Sequence, residues 1–388
     1  MRIAYVTETY PPEINGVALT AERTVRHLRG AGHEVQLIRP RHAGEAARRD
    51  ADEWRCSGAP IPMYPELRFG WARRAALSAL WRQTLPDLVH VVTPGPLGWA
   101  ALRAARAEGI PASADFRTNF HAYCRHYGVG LLEPVVLRYL RRLHAMAECN
   151  FVPTQELARQ LAGHGFGRLQ VLGRGVDASL FSPERRDAAL RHRWQAGPAA
   201  RVMLYVGRLA AEKNADLALQ TFERMSLCRP GLRMVVVGDG PLRTRLQRAH
   251  PQVHFAGMQT GPALARHYAS ADVFLFPSLT ETFGNVTLEA LASGLAVAAF
   301  DTGAAAAHIR DDVNGCLAAP GPASDAADAF LDAASRALNA SEPDGLLRME
   351  ARLAATQADW GGVLRRFELQ LRRVAFAGSV AARDAALA

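Results

Sequence analysis

Short apolar runs alternate with helical stretches along most of the chain, and this alternation is the feature that most limits its fold. Strands that are separated by helices return to the same sheet in parallel, which produces an α/β architecture. Eleven runs have the apolar character of buried strands, and they cover residues 2–7, 34–39, 87–92, 112–116, 149–152, 168–172, 201–206, 232–237, 252–256, 272–276 and 295–299. The pattern predicts two doubly wound, Rossmann-like domains.

One interruption of this pattern, at residues 173–198, marks the boundary between the domains. Glycines, prolines and a charged run replace the alternation there, as is typical of a linker. We therefore expect a first domain over residues 1–173 and a second over residues 174–360. Ligands of doubly wound sheets bind at the carboxyl ends of the strands, so the reaction is predicted to take place in a cleft that both domains face.

Composition narrows the class of protein. The chain has 388 residues, 49% of them hydrophobic, which is enough to bury the cores of two globular domains. No run reaches the ~20 apolar residues of a membrane span, and residues 1–7 form a strand rather than a secretory signal, so a cytoplasmic location is expected. The five cysteines are scattered without metal-ligand spacing, which predicts reduced thiols and no metal site.

Two glutamates, Glu281 and Glu289, flank a small-residue turn that follows the strand at residues 272–276. Gly284 and Asn285 begin a helix there, and the unpaired N–H groups of a helix start favour a phosphate, which glycine allows to approach closely. Glu289 lies one turn further along the same face, where its carboxylate would bind the ribose hydroxyls of a nucleotide. Glu281 would lie on the sugar side, so the segment predicts a sugar-nucleotide site.

Spacing alone does not indicate this site. Glutamates eight residues apart recur in three pairs that lack the strand, turn and helix and are interpreted as surface carboxylates: Glu45 and Glu53, Glu148 and Glu156, and Glu342 and Glu350.

A glycine pattern at residues 173–178 resembles a dinucleotide fingerprint, but Pro183 follows it and no helix begins there. In a second pattern, at residues 238–243, Arg243 replaces the third small residue, so a nicotinamide site is not favoured.

Lysine is almost absent from this basic chain. Of the 46 lysines and arginines together, Lys213 is the only lysine, and it follows Gly207 and Arg208 after a strand. An ammonium is a compact point charge, whereas a guanidinium is a planar fork, so the two are not interchangeable at a crowded diphosphate. The position predicts a phosphate ligand; a solvated lysine at the first turn of a helix is the alternative.

Several segments together resemble the retaining GT-B glycosyltransferases of family 4. They are an opening strand and glycine loop at residues 1–17, and residues 173–181, 204–214, 235–241 and 277–289. Within that family the chain is most similar to lipid-directed enzymes, the GDP-mannose-dependent α-mannosyltransferases and the glycosyl-diacylglycerol synthases. The resemblance implies the GT-B fold, in which residues 361–388 form a helix that crosses back to the first domain.

The resemblance also implies roles for individual residues. Arg208, Lys213 and Glu281 are expected to act in catalysis. The expected donor-binding residues are Asn15, Gly16, Gly207, Gly238, Phe283, Gly284, Asn285, Val286 and Glu289. Neither a metal nor another cofactor is expected, so cations and the helix start would stabilise the leaving diphosphate. That leaving group would take the acceptor proton on the front face of the sugar, without a protein nucleophile.

One family histidine, which lines the sugar pocket, has no direct counterpart here. Residues 115–128 resemble the stretch that carries it, but counting back from Tyr123 and Tyr127 places Arg117 at its position. Either Arg117 supplies a positive charge near the diphosphate or the sugar, or His121 supplies the imidazole one helical turn away. A structural His121, packed against aromatic rings, is the third alternative.

Arginines cluster in two stretches, residues 39–82 and residues 117–142. Four aromatic side chains interleave with the first stretch: Trp54, Phe69, Trp71 and Trp81. A basic surface with aromatic side chains suits an anionic membrane face. No nucleic-acid motif accompanies the charge, so nucleic acid is not expected as a partner. An ordinary solvated surface rich in arginine is the alternative.

The function that the resemblance implies is transfer of a hexose from a nucleotide sugar to a lipid or glycan acceptor at the cytoplasmic membrane face. Mannose from GDP-mannose is the favoured donor group. A UDP-hexose-dependent glycosyl-diacylglycerol synthase is the alternative, and a nucleotide-sugar epimerase of GT-B fold is a remoter one. The contacts that read the base follow no short motif, so the sequence does not decide between these donors.

Overall fold

The computed structural model describes residues 1–13, 15–50, 52–61, 64–117, 133–278, 281–343 and 345–387. These residues fold into two compact α/β units. The first unit takes in the described residues between Met1 and Gly173, together with the end of the chain from Leu364. The second unit runs from Arg174 to Val363.

A sheet of eight strands forms the centre of the first unit. The strands are β1 (Arg2–Val6), β2 (Glu34–Pro40), β3 (Glu53–Ile61), β4 (Tyr64–Trp71), β5 (Leu88–Val91), β6 (Ala112–Asp115), β7 (Cys149–Val152) and β8 (Leu169–Val171). Their order is β4-β3-β2-β1-β5-β6-β7-β8, and β4 alone is antiparallel to its neighbour. The helices of the unit are α1 (Gly16–Gly30), α2 (Arg74–Thr84), α3 (Pro96–Ala107), α4 (Glu133–His144) and α5 (Gln155–Gly163).

The second unit is built around a parallel sheet of six strands. They are β9 (Val202–Val206), β10 (Arg233–Val237), β11 (His254–Gly257), β12 (Val273–Phe276), β13 (Ala296–Phe300) and β14 (Cys316–Ala318), in the order β11-β10-β9-β12-β13-β14. Its helices are α6 (Ala188–Arg193), α7 (Ala215–Ser226), α8 (Arg243–Ala249), α9 (Gly261–Ser270), α10 (Asn285–Ala292), α11 (Gly303–His308), α12 (Ala323–Asn339) and α13 (Leu346–Gln357). Buried apolar clusters cover both faces of the sheet.

The last helix, α14 (Trp360–Leu387), packs on the first unit through side chains between Phe367 and Ala375. Phe367 and Leu371 are buried in one apolar cluster with Ile3 and Tyr5 of β1. The rings of Phe367 and His90 meet edge to face, with their centroids 5.0 Å apart. The chain therefore completes the core of its first unit only when its C-terminal segment has been made.

All eleven expected strands are present, with bounds within two residues of those expected. The sequence does not predict three further strands, β3, β4 and β14. Strands β3 and β4 form an antiparallel hairpin at the edge of the first sheet. Their residues combine arginines, glycines and prolines rather than a periodic apolar pattern, because an edge hairpin buries less surface than a central strand.

The structure corrects two expectations about the basic stretch at residues 39–82, one on β3 and one on α2. Glu53 is buried, and its carboxylate accepts hydrogen bonds from Arg39 and Arg55 at 2.9 Å each, so its assignment as a surface carboxylate is wrong. Trp81 is 1% exposed and lies in the core of the unit. It cannot belong to an aromatic surface that meets a membrane.

Candidate active site

The strand order of the second sheet reverses at β9, which is paired with β10 on one side and with β12 on the other. A crevice forms at the carboxyl ends of the strands at such a switch point, and ligands of doubly wound domains bind there. Gly207 and Arg208 directly follow β9, and Pro277 and Ser278 directly follow β12. The segments expected to bind the donor therefore lie where the topology favours a ligand.

Lys213 and Glu281 form an ion pair at this switch point. Lys213 ends a short 3-10 turn in the loop after β9, and its Nζ lies 2.5 Å from Glu281 Oε1 in the loop after β12. The side chains are 20% and 11% exposed, so the surrounding protein strengthens their electrostatic interaction. Arg208 is exposed in the same loop as Lys213. The structure thus brings together the cation and the carboxylate that the sequence assigns to diphosphate and sugar.

Buried polar groups hold the loop after β9 in place. The hydroxyl of Tyr205, on β9, shares its proton between the carbonyl oxygens of Arg208 and Lys213, each 3.3 Å away. Burial raises the pKa of Tyr205, so the hydroxyl remains a donor. Asn214 has a φ of 52°, and its Nδ2 donates to the carbonyl oxygen of Pro277 at 3.2 Å. These contacts hold the loop after β9 against the loop after β12.

Gly238 and Gly240 allow the loop after β10 to approach the loop that carries Arg208. Gly238 has a φ of 138°, and a Cβ on it would lie 2.0 Å from the carbonyl oxygen of Gly207. Gly240 has a φ of 156°, and its Cβ would lie 2.5 Å from the carbonyl oxygen of Leu209. A larger residue at either position would push the two loops apart.

Gly284 precedes helix α10, as the sequence predicts. Its φ is 91°, and a Cβ on it would lie 3.2 Å from the ring of Phe276, so the position favours glycine for two reasons. Asn285 is the first residue of the helix, and its N-cap residue, Gly284, has no side chain that could cap the first turn. The N–H groups and the positive end of the helix dipole suit a phosphate.

Phe283 and Val286, two of the expected donor-binding residues, have packing roles. Phe283 is 3% exposed, and its ring meets that of His308 edge to face at 5.9 Å. Its carbonyl oxygen accepts a hydrogen bond from the N–H of Ala304. Val286 is half-buried against the same core. A contact of these residues with the donor stays a prediction.

Glu289 is oriented by a buried tyrosine. It lies half-buried on α10, and its Oε2 accepts a hydrogen bond from the hydroxyl of Tyr268 at 3.0 Å. Tyr268, on α9, is fully buried, and its burial together with the charge of Glu289 raises the pKa of the phenol. The carboxylate is therefore held in one direction, as binding of a pair of ribose hydroxyls requires.

In the first unit, Asn15 and Gly16 form the start of α1. Asn15 Oδ1 accepts hydrogen bonds from the N–H groups of Val17 and Ala18 at 3.0 and 2.9 Å, which makes it the N-cap. Its Nδ2 donates to Glu13 at 3.2 Å. Burial raises the pKa of Glu13 to about 7. The capping accounts for the residue types at this loop, and a contact with the donor stays a prediction.

Arg117 lies in a buried ion pair. Its Nε donates to Asp115, whose other close neighbour is His90, with Nε2 3.4 Å from Asp115 Oδ2. Burial acts to raise the pKa of Asp115, but the charges of Arg117 and His90 lower it below its usual range. The guanidinium is thus balanced by the carboxylate of Asp115, the last residue of β6. His121, the alternative residue, lies outside the described residues.

Glu8 is a candidate site residue that sequence reasoning does not single out. It follows β1 at the switch point of the first sheet and is 5% exposed. Its Oε1 accepts hydrogen bonds from the N–H groups of Gly70 and Leu97 at 3.1 and 3.0 Å, and burial raises its pKa to about 7. The only signal in the sequence is its position directly after an apolar strand.

An open pocket of about 390 Å³ lies at the carboxyl end of β2, also in the first unit. Its polar lining includes Arg41, His42, Glu45 and Arg68. Both oxygens of Glu45 accept hydrogen bonds from Arg39, at 2.8 and 2.7 Å. The charge of Arg39 therefore compensates the one negative charge in the lining. The pocket suits an anionic group.

The described part of the chain offers neither a metal-ligand cluster nor a membrane-spanning helix. No group of three or more His, Cys, Asp and Glu side chains there is arranged to hold a metal ion. Four described cysteines are free thiols: Cys56, Cys149, Cys228 and Cys316. No described helix is both long enough and apolar enough to pass through a bilayer.

Comparisons with known proteins agree with the geometry of the second unit. A sequence model of glycosyl transferases group 1 matches residues 200–339, and one of Glycosyltransferase Family 4 matches residues 14–180. The chain is 38% identical over 311 residues to the GDP-mannose-dependent alpha-mannosyltransferase of Mycolicibacterium smegmatis, with 78% of this chain and 80% of that protein covered. It is 27% identical over 312 residues to the alpha-monoglucosyldiacylglycerol synthase of Streptococcus pneumoniae, with 77% and 71% covered.

The fold is similar to that of sucrose-phosphate synthase from Thermosynechococcus elongatus, with a TM-score of 0.77, 17% sequence identity and 97% and 100% of the two chains covered. Two doubly wound sheets with this similarity define the GT-B fold. The two sequence models match most of the chain, and the mannosyltransferase exceeds 30% identity over more than two thirds of it. The chain belongs to glycosyltransferase family 4 and is an enzyme.

Proposed function

We propose that the protein is a retaining hexosyltransferase that moves mannose from GDP-mannose to a lipid or glycan acceptor. The observation that carries this proposal is the ion pair of Lys213 with Glu281 at the switch point of the second sheet, with Glu289 on the helix that follows. A nucleotide sugar needs a cation for its diphosphate and oriented acceptors for its sugar and ribose hydroxyls. The similarity to the GDP-mannose-dependent alpha-mannosyltransferase of Mycolicibacterium smegmatis supports GDP-mannose as the donor.

The reaction requires stabilisation of the charge that develops as the bond between the sugar and the diphosphate breaks. Lys213, Arg208 and the start of α10 supply that stabilisation through a point charge, a guanidinium and the positive end of the helix dipole. We propose that no bound metal takes part. Glu281 holds the sugar hydroxyls, and the leaving phosphate takes the proton from the acceptor hydroxyl on the same face of the sugar.

We assign the acceptor to the first unit. The pocket at the end of β2 presents Arg41 and Arg68, and an acceptor with an anionic headgroup would be recognised there. Two mechanisms could place such a lipid: extraction into solution, or attachment of the enzyme to the cytoplasmic face of a membrane. We propose attachment, since a diacyl lipid leaves a bilayer only at a large hydrophobic cost.

A second candidate is a UDP-hexose donor. It is favoured by the similarity to the monoglucosyldiacylglycerol synthase, a protein named for a glucosyl product. A nucleotide-sugar epimerase of GT-B fold is the remoter candidate, and it would release an interconverted nucleotide sugar without consuming an acceptor.

One experiment separates these candidates. Purified enzyme is incubated with radiolabelled GDP-mannose, UDP-glucose or UDP-galactose and a total membrane extract, and the products are divided into lipids, soluble glycans and nucleotide sugars. Labelled mannolipid or mannosylated glycan from GDP-mannose alone supports the proposal. Label transferred only from a UDP-sugar overturns the donor, and label confined to a new nucleotide sugar overturns the transferase.

A further inference from the structure

Helix α14 has two opposite faces. One face is buried in the first unit and consists of Leu364, Phe367, Leu371, Val374 and Ala375. The other face is exposed and consists of Arg365, Arg366, Leu369, Arg372, Arg373 and Phe376. We call this second set the arginine–phenylalanine face. Its composition is unusual for a solvated surface, because large apolar side chains lie among the charges.

The apolar residues lie at the centre of this face. Successive residues of a helix are rotated by about 100°, which puts Leu369 and Phe376 within about 20° of each other. The arginines lie on both sides of that line, with Arg372 on one side and Arg366 on the other. Phe376 is 72% exposed and Leu369 is 49% exposed. The face extends over roughly 17 Å, the axial distance from Arg365 to Phe376.

Glu368 is the only acid of the helix between residues 361 and 378, and it pairs with one arginine of the face, with Arg372 Nη2 2.9 Å from Glu368 Oε1. Glu368 Oε1 lies 3.0 Å from His33 Nε2, and Glu368 Oε2 lies 3.4 Å from His27 Nε2, so the carboxylate is directed toward the first unit. The hydrogen bond with His33, assisted by Arg372, lowers the pKa of Glu368 to about 2. Since Glu368 is shared between His33 and Arg372, its single charge leaves the positive charge of Arg365, Arg366 and Arg373 in excess on this face.

We infer that the arginine–phenylalanine face docks on an anionic lipid surface. Arginines attract acidic headgroups, and a line of apolar side chains between them can enter the boundary between headgroups and acyl chains. The helix axis would then lie in the plane of the surface. This inference rests on the proposed function, since it supplies the means by which the enzyme reaches a lipid acceptor.

Charge argues against two other occupants of the face. A second copy of the chain docked through the same face would bring eight arginines together, which like-charge repulsion disfavours. A nucleic acid would pair with the arginines but would offer no apolar surface to Leu369. An acidic bilayer satisfies both kinds of side chain at once.

The test is cosedimentation of the full chain with vesicles, without donor or acceptor. Vesicles of phosphatidylglycerol mixed with phosphatidylcholine are compared with vesicles of phosphatidylcholine alone. The variants are Arg365→Gln combined with Arg366→Gln, and Phe376→Ser. The matched controls are Arg103→Gln combined with Arg106→Gln, which removes the same charge from exposed positions on α3, and Leu353→Ser, which removes an apolar side chain that is 51% exposed on α13.

We expect wild type and both controls to bind the acidic vesicles, with weak binding to phosphatidylcholine alone. The double arginine variant should bind about thirtyfold more weakly, and Phe376→Ser about tenfold more weakly. Absence of binding by the wild type overturns the inference, as does equal binding of variants and controls. Light scattering that shows a dimer lost in Phe376→Ser overturns it in favour of a second copy.

The outcomes also separate this inference from the proposed function. If the vesicle results are as expected but no nucleotide sugar supports transfer, the proposed function is wrong, and the inference that the arginine–phenylalanine face binds anionic lipid is retained. If transfer to detergent-dispersed lipid occurs while all variants bind vesicles equally, the inference of docking through the arginine–phenylalanine face is wrong, and the proposed function is retained.

Discussion

The ammonium of Lys213 lies 2.5 Å from Glu281 Oε1, and this contact joins loops that are 68 residues apart in the sequence. The two loops follow β9 and β12, the neighbouring strands at which the strand order of the second sheet reverses. The pair therefore links the donor-binding chemistry directly to the topology of the sheet. Neither partner could be moved without altering the position of the other.

Loss of the Lys213 charge should slow the chemical step. Lys213→Ala is expected to lower kcat by about 100-fold, because charge on the leaving diphosphate loses a preorganised cation. Lys213→Arg should recover only part of the rate, since a planar guanidinium does not replace a point charge. Arg245→Ala serves as a control because Arg245 forms a surface ion pair with Asp216. Equal rates for Lys213→Ala and the control would contradict the site.

Glu289 should contribute to donor affinity through the ribose. Glu289→Gln is expected to raise the KM for the donor by about tenfold, because a hydrogen bond to a charged group is lost. Tyr268→Phe should have a smaller effect in the same direction, since it releases the carboxylate without removing it. A donor with a 2′-deoxyribose should lose affinity for the wild type and little for Glu289→Gln. Equal losses for the two enzymes would remove the ribose assignment.

Gly238 should be far less tolerant than an exposed glycine. Gly238→Ala is expected to lower the free energy of unfolding by more than about 2 kcal/mol, because the new Cβ meets the carbonyl oxygen of Gly207 and the backbone is strained. Gly231→Ala is the matched control, since nothing lies within 4 Å of its Cβ. Thermal melts of both variants test this. A Gly238→Ala variant as stable as the control would disprove the close approach.

Glu8 should make stability depend on pH. Its pKa is about 7 in the folded chain against an ordinary value of 4.5, so the folded state binds the proton more tightly. The stabilisation is complete below pH 4.5 and is lost as the pH rises through 7, with a magnitude of about 3 kcal/mol. Glu8→Gln should flatten the fall of the urea midpoint between pH 5 and pH 8. The slope that remains is expected from Glu13, and an unchanged slope would be inconsistent with a buried Glu8.

The sequence predicts the parts of the donor site that depend on local pattern. An apolar strand, a glycine in the left-handed region and the start of a helix are encoded within about a dozen residues, and Gly284 and α10 are found where that pattern puts them. The contact of Lys213 with Glu281 depends instead on the strand order β10-β9-β12. That order is set by packing of the whole sheet, so no local pattern could reveal it.

Residues of the first unit were harder to predict for a related physical reason. Glu8 and Glu53 look like surface acids because an isolated carboxylate is rarely buried. Both become buried because other strands bring partners to them, backbone N–H groups for Glu8 and arginines for Glu53. A buried acid is therefore a property of the assembled sheet rather than of its own segment.

The hydrogen bond from Tyr268 to Glu289 has a consequence for how this enzyme class diversifies. Because the tyrosine is fully buried and belongs to α9, the core fixes the direction of Glu289, which we propose as the ribose ligand. If Glu289 binds the nucleotide and Glu281 the sugar, as we propose, a substitution near Glu281 leaves the orientation of Glu289 unchanged. Substitutions near Glu281 can then change which sugar is transferred, while binding of the nucleotide is retained.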